Sequence, residues 1–294
     1  MEKTRKEKGN EYIGRIGLQA LRDCFQIYND LGNEGKVLVN KKDGTDMALR
    51  LDIETEQVVI DVFRQSGISV QIFSEEHGFI KIGKQPNYTI ALDGLDGTNN
   101  YRLSSGRSGT MLAVMKGNEP RYRDTIFAGI MTYPQGELYY ASKGQARIVT
   151  LHESKVAKTS GAVYLTPNLN VFVDVAFDDA LDTDIMKRNF VVPLLQSGFS
   201  FDDRSASTAD HFASIADGSL DITCESTRGV KGNFELPVGY ALLRAAGGTI
   251  ITIDGEKIDD KNYCQWGHDE YIPIVGAASE ELAMKFARLL KVKR

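Results

Sequence analysis

The sequence predicts a protein of two halves, an α+β half followed by an α/β half. In the first half, two stretches with apolar residues at helical spacing, near 10–31 and 51–63, precede a series of strands joined by short turns. In the second half strands and helices alternate, which is typical of an α/β sheet. The boundary is predicted to divide the chain into domains at 1–155 and 156–294, which share one large interface.

The strands of the first half are predicted from runs of β-branched and aromatic residues. Two such runs lie at 68–74 and 87–92, and three more follow at 109–116, 126–133 and 137–141. Because turns such as "YPQGE" join the later runs, this sheet is expected to be mostly antiparallel.

The second half begins with a predicted strand at 170–177 and a helix near 180–197. A helix over about 207–217 and the strand "SLDITCE" come next. "ELPVGYALLRAAGG" is predicted to be a helix, because it has proline in its first turn and glycines at its end. The strand "TIITIDG" and a helix over 279–291 complete the alternation.

Composition excludes several classes of protein. The chain has 294 residues, 42% of them hydrophobic, which is enough for a large buried core. A formal net charge of −5 does not suggest the basic face that nucleic acids require. No apolar run approaches the length of a membrane span, and "MEKTRKEKGNEY" lacks the apolar core of a signal peptide. A cytoplasmic protein without a nucleic-acid or membrane partner is therefore expected.

Cysteine and histidine usage narrows the possible metal chemistry. The three cysteines are an odd number without a close pair, which argues against a disulfide framework and a zinc ribbon. The four histidines are scattered through the chain. A metal site would therefore use oxygen ligands, which favours magnesium, manganese or calcium.

The segment "ALDGLDGTNNY" (91–101) is the first candidate for such a site. Asp93 and Asp96 follow the end of a predicted strand, and the adjacent glycines permit sharp turns. Two carboxylates three residues apart can point at one spot, where the carbonyl of Leu95 can join them, and hard divalent cations prefer such oxygen clusters. Taken alone, the segment is explained equally well as a polar turn without a metal.

Further acidic residues stand at the ends of other predicted elements. Glu75 and Glu76 end a strand, and a cation shared with the aspartates would remove their mutual repulsion, although exposure is the simpler explanation. Asp52 and Glu235 each lie at the start of a helix. Either one, taken alone, is explained as an acid favoured by the helix dipole.

Together these features resemble the inositol monophosphatase family, within the superfamily that includes fructose-1,6-bisphosphatase. Asp52 at a helix start, "SEEHG", "DGLDGTNNY" and "FELPVGYALLRAAGG" occur in the order and at the intervals of that family, over about residues 10–290. The resemblance implies a layered αβαβα sandwich of the sugar-phosphatase type, with an antiparallel N-terminal sheet and a mixed C-terminal sheet. It also implies a homodimer.

The resemblance further implies hydrolysis of a small phosphorylated substrate with two or three Mg²⁺ ions, for which Mn²⁺ can substitute. The implied ligands are Glu75, Asp93, the Leu95 carbonyl and Thr98 for the first ion, and Asp93, Asp96 and Glu235 for the second. Asp52, Glu75 and Thr98 are the implied catalytic residues, which orient the attacking water. Inositol-1-phosphate or a related sugar (bis)phosphate is the expected substrate, with fructose-1,6-bisphosphate and 3′-phosphoadenosine phosphate as alternatives.

The substrate contacts are also implied by the resemblance. The amides of Gly97 and Thr98 would receive the phosphate, and Glu225 matches a family glutamate that contacts a sugar hydroxyl. The remaining implied substrate-binding residues are Ser207, Asp210, Arg204 and Arg228. The two arginines would meet a second phosphate, although such residues are more often surface cations. Lys41 or Lys42 corresponds to a lysine in a loop before Asp52.

Several residues depart from the family pattern. Gly94 replaces a proline, which is expected to loosen the turn, and Phe234 replaces a tryptophan in a packing position. Glu235 replaces the usual aspartate, so its extra methylene must be absorbed by a shifted backbone. The turn 206–208 reads Ala-Ser-Thr in place of Gly-Thr-Ala. Asn99 stands where nucleotide-specific relatives carry a lysine, which disfavours a nucleotide substrate.

Two other functions share part of this sequence pattern. Phosphatases that form an aspartyl-phosphate use D-x-D-G-T, with the nucleophile two residues before the second aspartate. That position is Gly94 here, so this class is excluded. A metal-binding relative without catalytic activity remains open, and it predicts metal binding without hydrolysis of any phosphate monoester.

Overall fold

Two β-sheets and the helices packed on them form the core of the protein. The computed structural model describes residues 5–41, 47–174, 201–202, 207–225, 233–266 and 272–291. The predicted helix near 180–197 lies outside these residues. The described helices are α1 (Arg5–Leu31), α2 (Arg50–Gln65), α3 (Thr98–Leu103), α4 (Thr208–Asp217), α5 (Leu236–Ala246) and α6 (Glu280–Lys291).

The first sheet has eight strands, and all of them lie within residues 70–156. They are β3 (Val70–Ser74), β4 (Gly78–Ile82), β5 (Tyr88–Asp96), β6 (Ser108–Lys116), β7 (Thr125–Tyr133), β8 (Leu138–Ser142), β9 (Gln145–Val149) and β10 (Ser154–Val156). The spatial order is β10-β9-β8-β7-β6-β5-β3-β4. Every neighbouring pair is antiparallel except β3 and β5, which run parallel. A separate hairpin of β1 (Leu38–Asn40) and β2 (Met47–Leu49) leads into α2.

The second sheet has five described strands and is mixed. They are β11 (Val171–Asp174), β12 (Phe201–Asp202), β13 (Ile222–Glu225), β14 (Thr249–Thr252) and β15 (Ile274–Ala277), in the order β12-β11-β13-β15-β14. β11 runs parallel to β12 and β13, whereas β15 is antiparallel to β13 and β14. The predicted mostly antiparallel first sheet and mixed second sheet are therefore confirmed.

Three buried clusters define the layers. Ile90 and Leu92 of β5 pack with α1 and α2 on one face of the first sheet. Ala91, between them, faces the opposite cluster, which contains Phe212 of α4 and Leu236 of α5 and extends to the second sheet. The third cluster joins the far face of the second sheet to α6. This succession of helices, sheet, helices, sheet and helix is the predicted αβαβα sandwich.

The sequence did not predict several short strands, among them β4, β9, β10 and β15. Each has only three to five residues, too few for an alternating pattern to stand out from its surroundings. β4 and β10 form the two edges of the first sheet, whereas β15 lies between β13 and β14 in the second, and none of them changes the predicted layers. Among the described helices, none is both long and apolar enough to cross a bilayer.

Candidate metal centre and active site

The end of β5 carries the two aspartates of the candidate site. The Leu95 N–H donates a 2.9 Å hydrogen bond to Asp93 Oδ1, and the Thr98 hydroxyl donates a 3.0 Å bond to the Leu95 carbonyl. These bonds orient the first carboxylate and connect the strand end to the first residue of α3. The acids are therefore held on a short, internally bonded segment.

Gly97 makes the sharp change of direction between β5 and α3. Its φ of +80° lies in the left-handed region that favours glycine. A Cβ at this position would also lie only 2.5 Å from the Ser207 Cβ. Both the backbone conformation and the approach of the α4 segment thus require glycine here.

Asp93, Asp96 and Glu235 converge on one point. Each offers a carboxylate oxygen, and these oxygens lie within 4.8 Å of one another. The two aspartates are buried, and Glu235 stands directly before α5. Ligands on opposite sides of one Mg²⁺ lie about 4.2 Å apart, so a small movement would bring all three onto one ion.

Burial and mutual repulsion make this group of acids favourable for a cation. Burial, and then the charge of Glu75, raise the pKa values of Asp52 and Asp93. Burial, and then the charge of Glu235, raise the pKa of Glu75 to about 8. Asp52 Oδ1 is buried and finds no hydrogen-bond donor among the described residues. An all-oxygen group of this kind fits a divalent cation such as Mg²⁺, whose charge would remove the repulsion.

Helix α2 brings further polar groups to the site. Asp52 lies in its first turn, and Glu56 lies one turn later with its side chain fully buried. The Glu56 carboxylate accepts hydrogen bonds from the backbone of Glu76 and His77. The sequence reasoning missed Glu56, although its position four residues after Asp52 places both acids on one helix face.

Lys41 is the loop lysine that reaches the site within the described part of the chain. Its Nζ lies 2.9 Å from Glu76 Oε2, and the Glu76 side chain is only 6% exposed. Lys42, the alternative in the sequence, lies outside the described residues. The hairpin of β1 and β2 is thereby tied to the turn that follows β3.

Gly94 does not loosen the turn as expected. A Cβ there would lie 2.4 Å from the Asp52 carbonyl oxygen and 2.6 Å from Asp52 Oδ1. The Gly94 carbonyl accepts hydrogen bonds from Thr55 Oγ1 at 3.0 Å and Thr110 Oγ1 at 2.7 Å. The absence of a side chain therefore allows β5 to approach α2 closely, and the two bonds fix the backbone.

The start of α4 forms the next wall of the site. The Ala209 N–H donates a 2.6 Å hydrogen bond to Asp96 Oδ2. Ser207 caps the helix by accepting from the Asp210 N–H at 3.1 Å, and its hydroxyl donates to the Arg107 carbonyl. The Arg107 guanidinium lies 3.2 Å from Asp210 Oδ1, a contact that the sequence did not suggest.

Glu225 lies buried at the end of β13, beside the acidic cluster. It lines the same crevice as Glu235 and Asn233. His211 Nδ1 is 3.5 Å from Glu225 Oε1, and the imidazole is buried against Phe172. His211 was not singled out in the sequence. Arg204 and Arg228, the predicted contacts for a second phosphate, lie outside the described residues.

The layered fold and the position of its acids define a sandwich of the sugar-phosphatase type. The chain matches the model of the inositol monophosphatase family over residues 7–291, and it belongs to this family. The resemblance found in the four sequence motifs is thereby confirmed.

Curated relatives and solved structures agree with this assignment. The fructose-1,6-bisphosphatase/inositol-1-monophosphatase of Methanothermobacter thermautotrophicus is 24% identical over 76% of this chain and 78% of its own length. The bifunctional NADP phosphatase/NAD kinase of Methanococcus maripaludis is 28% identical over 71% of this chain but only 38% of its own length.

Solved structures show the same fold. The extragenic suppressor protein SuhB from Bartonella henselae has a TM-score of 0.73 at 17% identity, covering 95% of this chain and 98% of that one. The inositol monophosphatase from Anabaena has a TM-score of 0.68 at 20% identity, covering 96% of both chains.

Proposed function

We propose that the protein is a Mg²⁺-dependent phosphomonoesterase acting on inositol-1-phosphate or a related sugar (bis)phosphate. The convergence of the Asp93, Asp96 and Glu235 carboxylates is the observation that carries this proposal. When ionised, these clustered acids repel both one another and an anionic substrate. They are suited to catalysis only when cations neutralise them.

The residues around these carboxylates have complementary roles in the proposed reaction. Bound Mg²⁺ would supply an activated water and stabilise the departing oxygen of the phosphate ester. Asp52, Glu75 and Thr98 would orient that water for in-line attack. The amides of Gly97 and Thr98 would hold the phosphate, and Glu225 would accept a hydrogen bond from a substrate hydroxyl.

The relatives support a small phosphorylated metabolite as the substrate. Their names include fructose-1,6-bisphosphatase, inositol-1-monophosphatase and NADP phosphatase. The nucleotide alternative has less support, because Asn99 replaces the lysine of nucleotide-specific relatives. A panel of inositol-1-phosphate, fructose-1,6-bisphosphate, 3′-phosphoadenosine phosphate and NADP would identify the preferred class.

Asp93→Asn tests the metal centre directly. We expect it to reduce Mg²⁺-dependent phosphate release from the preferred substrate by at least about a hundredfold, because Asp93 contributes to both implied ion sites. Phosphate release should be measured with Mg²⁺ and with EDTA, and circular dichroism should show that the variant is folded.

Asp61→Asn is the matched control, since Asp61 lies on the exposed face of α2 beside Arg64 and should not affect turnover. Near wild-type activity of Asp93→Asn would contradict the mechanism. Mn²⁺ binding by the wild type without hydrolysis of any substrate in the panel would instead favour the metal-binding relative without catalytic activity. The proposed homodimer is tested separately by light scattering of the purified protein.

A further inference from the structure

The turn between β3 and β4 carries Glu75, an implied ligand of the first ion, together with Glu76 and His77. A metal ligand on a turn needs support, because a displacement of an ångström is enough to disturb coordination. Asp93 obtains such support from the Leu95 N–H of its own segment, and Asp96 obtains it from the Ala209 N–H at the start of α4. The Glu75 N–H donates a 3.3 Å bond to the Leu92 carbonyl of β5, whereas the two residues that follow Glu75 are held by a different element, helix α2.

Glu56 of α2 provides this support through a carboxylate buried beneath the turn. The Glu76 N–H lies 3.1 and 3.2 Å from its two oxygens, and the His77 N–H donates to Oε2 at 3.1 Å. His77 Nδ1 lies 2.7 Å from the same oxygen, and the Ser74 hydroxyl also donates to it. Four donor groups on three residues of the β3 end and turn thus converge on one carboxylate.

The same side chain also contacts the other acidic segments. Glu56 shares a helix face with Asp52, one turn earlier. Its Cγ lies 2.7 Å from the point where a Cβ of Gly94 would be, so it packs against the backbone between Asp93 and Leu95. Glu56 therefore connects the three segments that carry Asp52, Glu75 and Asp93.

We propose that Glu56 is a positioning residue, which holds Glu75 in register with Asp93 and thereby sets the affinity of one of the two ion sites. The inference rests on the proposed function, because it assumes that Glu75 and Asp93 bind a shared cation. A carboxylate is required because it has only acceptors, whereas a glutamine would turn an N–H₂ group toward some of the four donors. Removal of partners that orient metal ligands typically costs 10–100-fold in metal affinity.

Glu56→Gln is the test, and Glu54→Gln is its matched control on the same helix. Glu54 lies near the surface beside Arg50 and contacts none of the acids of the site in the described structure. Mn²⁺ titration followed by electron paramagnetic resonance should show one site of Glu56→Gln weakened about tenfold or more, and the other site unchanged. Glu54→Gln should bind both ions as the wild type does.

Hydrogen exchange of the metal-free protein provides a readout independent of activity. In Glu56→Gln the amides of Glu76 and His77 should exchange about tenfold faster, whereas those of β6 and β7 should keep wild-type rates. If Glu56→Gln does not fold, Ser74→Ala is measured instead, because it removes one of the donors to Glu56. Its effect is read from the Glu76 amide, which should exchange faster, because the Ser74 hydroxyl itself accepts a bond from the His77 N–H. Uniformly faster exchange in both sheets would show general destabilisation and overturn the proposal.

The test of the Glu56 role can be distinguished from the test of the proposed phosphatase function. An inactive wild type that binds two Mn²⁺ ions would contradict the phosphatase function and leave the Glu56 comparison valid. Wild-type Mn²⁺ affinity at both sites in Glu56→Gln would overturn the positioning role even in an active phosphatase. A wild type that binds no Mn²⁺ would overturn the positioning role as well.

Discussion

At the scale of single residues, the site depends on groups that touch one another across different elements. Gly94 departs from the family pattern, and the physical reason for this departure is visible only in the structure. In the sequence it is a glycine in place of proline, which suggests a looser turn. In the structure it is the point where β5 meets the Asp52 backbone, and a side chain has no room there.

Gly94→Ala is expected to destabilise the protein by about 1–3 kcal/mol, the usual cost of forcing extra atoms into a packed interior. It should also reduce metal-dependent activity, because the added methyl group would displace Asp52. Urea unfolding and phosphate release measure the two effects.

Gly9→Ala is the control for this change. Gly9 lies in α1, where an added Cβ would have only Tyr88 Oη near it, at 3.9 Å. Alanine there should leave activity unchanged and stabilise the helix by up to about 1 kcal/mol. Equal stability of Gly94→Ala and the wild type would contradict the close packing.

The stability of the metal-free protein should decrease between about pH 5 and pH 8. Glu75 has an ordinary pKa of 4.5, and folding raises it to about 8. Such a carboxyl group binds its proton more tightly in the folded state than in the unfolded state. Its contribution to stability is complete below the pKa of the unfolded state, and it is lost as the pH rises through the pKa of the folded state. Asp52 and Asp93 shift in the same direction.

Thermal unfolding in EDTA across this range measures the effect. Addition of Mg²⁺ should raise the melting temperature more at pH 8 than at pH 5.5. At the lower pH the cation must first displace the protons from these carboxyl groups. A stabilisation by Mg²⁺ that is independent of pH would contradict the raised pKa values.

At the scale of elements, the start of helix α4 joins the candidate metal centre to the second half of the chain. The Ala209 amide binds Asp96, and Ser207 both caps the helix and binds the Arg107 carbonyl. The sequence predicted this helix, and it suggested Ser207 as a substrate contact from the family resemblance. It did not indicate the bonds to Asp96 and Arg107, because each of these bonds joins two residues that lie about 100 positions apart in the chain.

Ser207→Ala should destabilise the protein by about 1 kcal/mol through loss of the helix cap. It should also lower kcat, because the α4 start would shift relative to Asp96. Urea unfolding and steady-state kinetics in saturating Mg²⁺ measure the two quantities.

Ser279→Ala is a suitable comparison. Ser279 caps α6 by accepting from the Leu282 N–H, and it donates to the Ala162 carbonyl, so it makes the same two kinds of bond away from the site. We expect a similar loss of stability with unchanged kcat. If both variants kept wild-type kcat, the link between α4 and Asp96 would have no role in turnover.

At the scale of the whole molecule, the two predicted domains share a single core layer. The cluster between the sheets contains Ala91 and Met111 from the first sheet and Ile250 and Ile274 from the second. Trp266, the only tryptophan of the chain, packs edge-on against Tyr122, with ring centroids 5.6 Å apart. Because this apolar cluster is buried between the two halves, the stability of each half should depend on the presence of the other.

We expect the protein to unfold in one cooperative transition. Trp266 fluorescence reports the layer between the sheets, and far-ultraviolet circular dichroism reports all helices and strands. Their urea midpoints should coincide, because separation of the halves would expose the shared core. Two midpoints that differ by more than the error would show that 1–155 and 156–294 unfold as independent domains.

The sequence by itself determined the order of the main elements through hydrophobic periodicity, which is a local property. It indicated the family, and through that resemblance the αβαβα class, by the order and spacing of short motifs. It also identified the acids Asp93, Asp96 and Glu235 from the resemblance. The tertiary structure decided which groups meet. It brought Glu235 to the end of β5, placed Glu56 beneath the Glu75 turn and packed Gly94 against Asp52. Such contacts join residues far apart in the chain, and their geometry depends on how the layers pack.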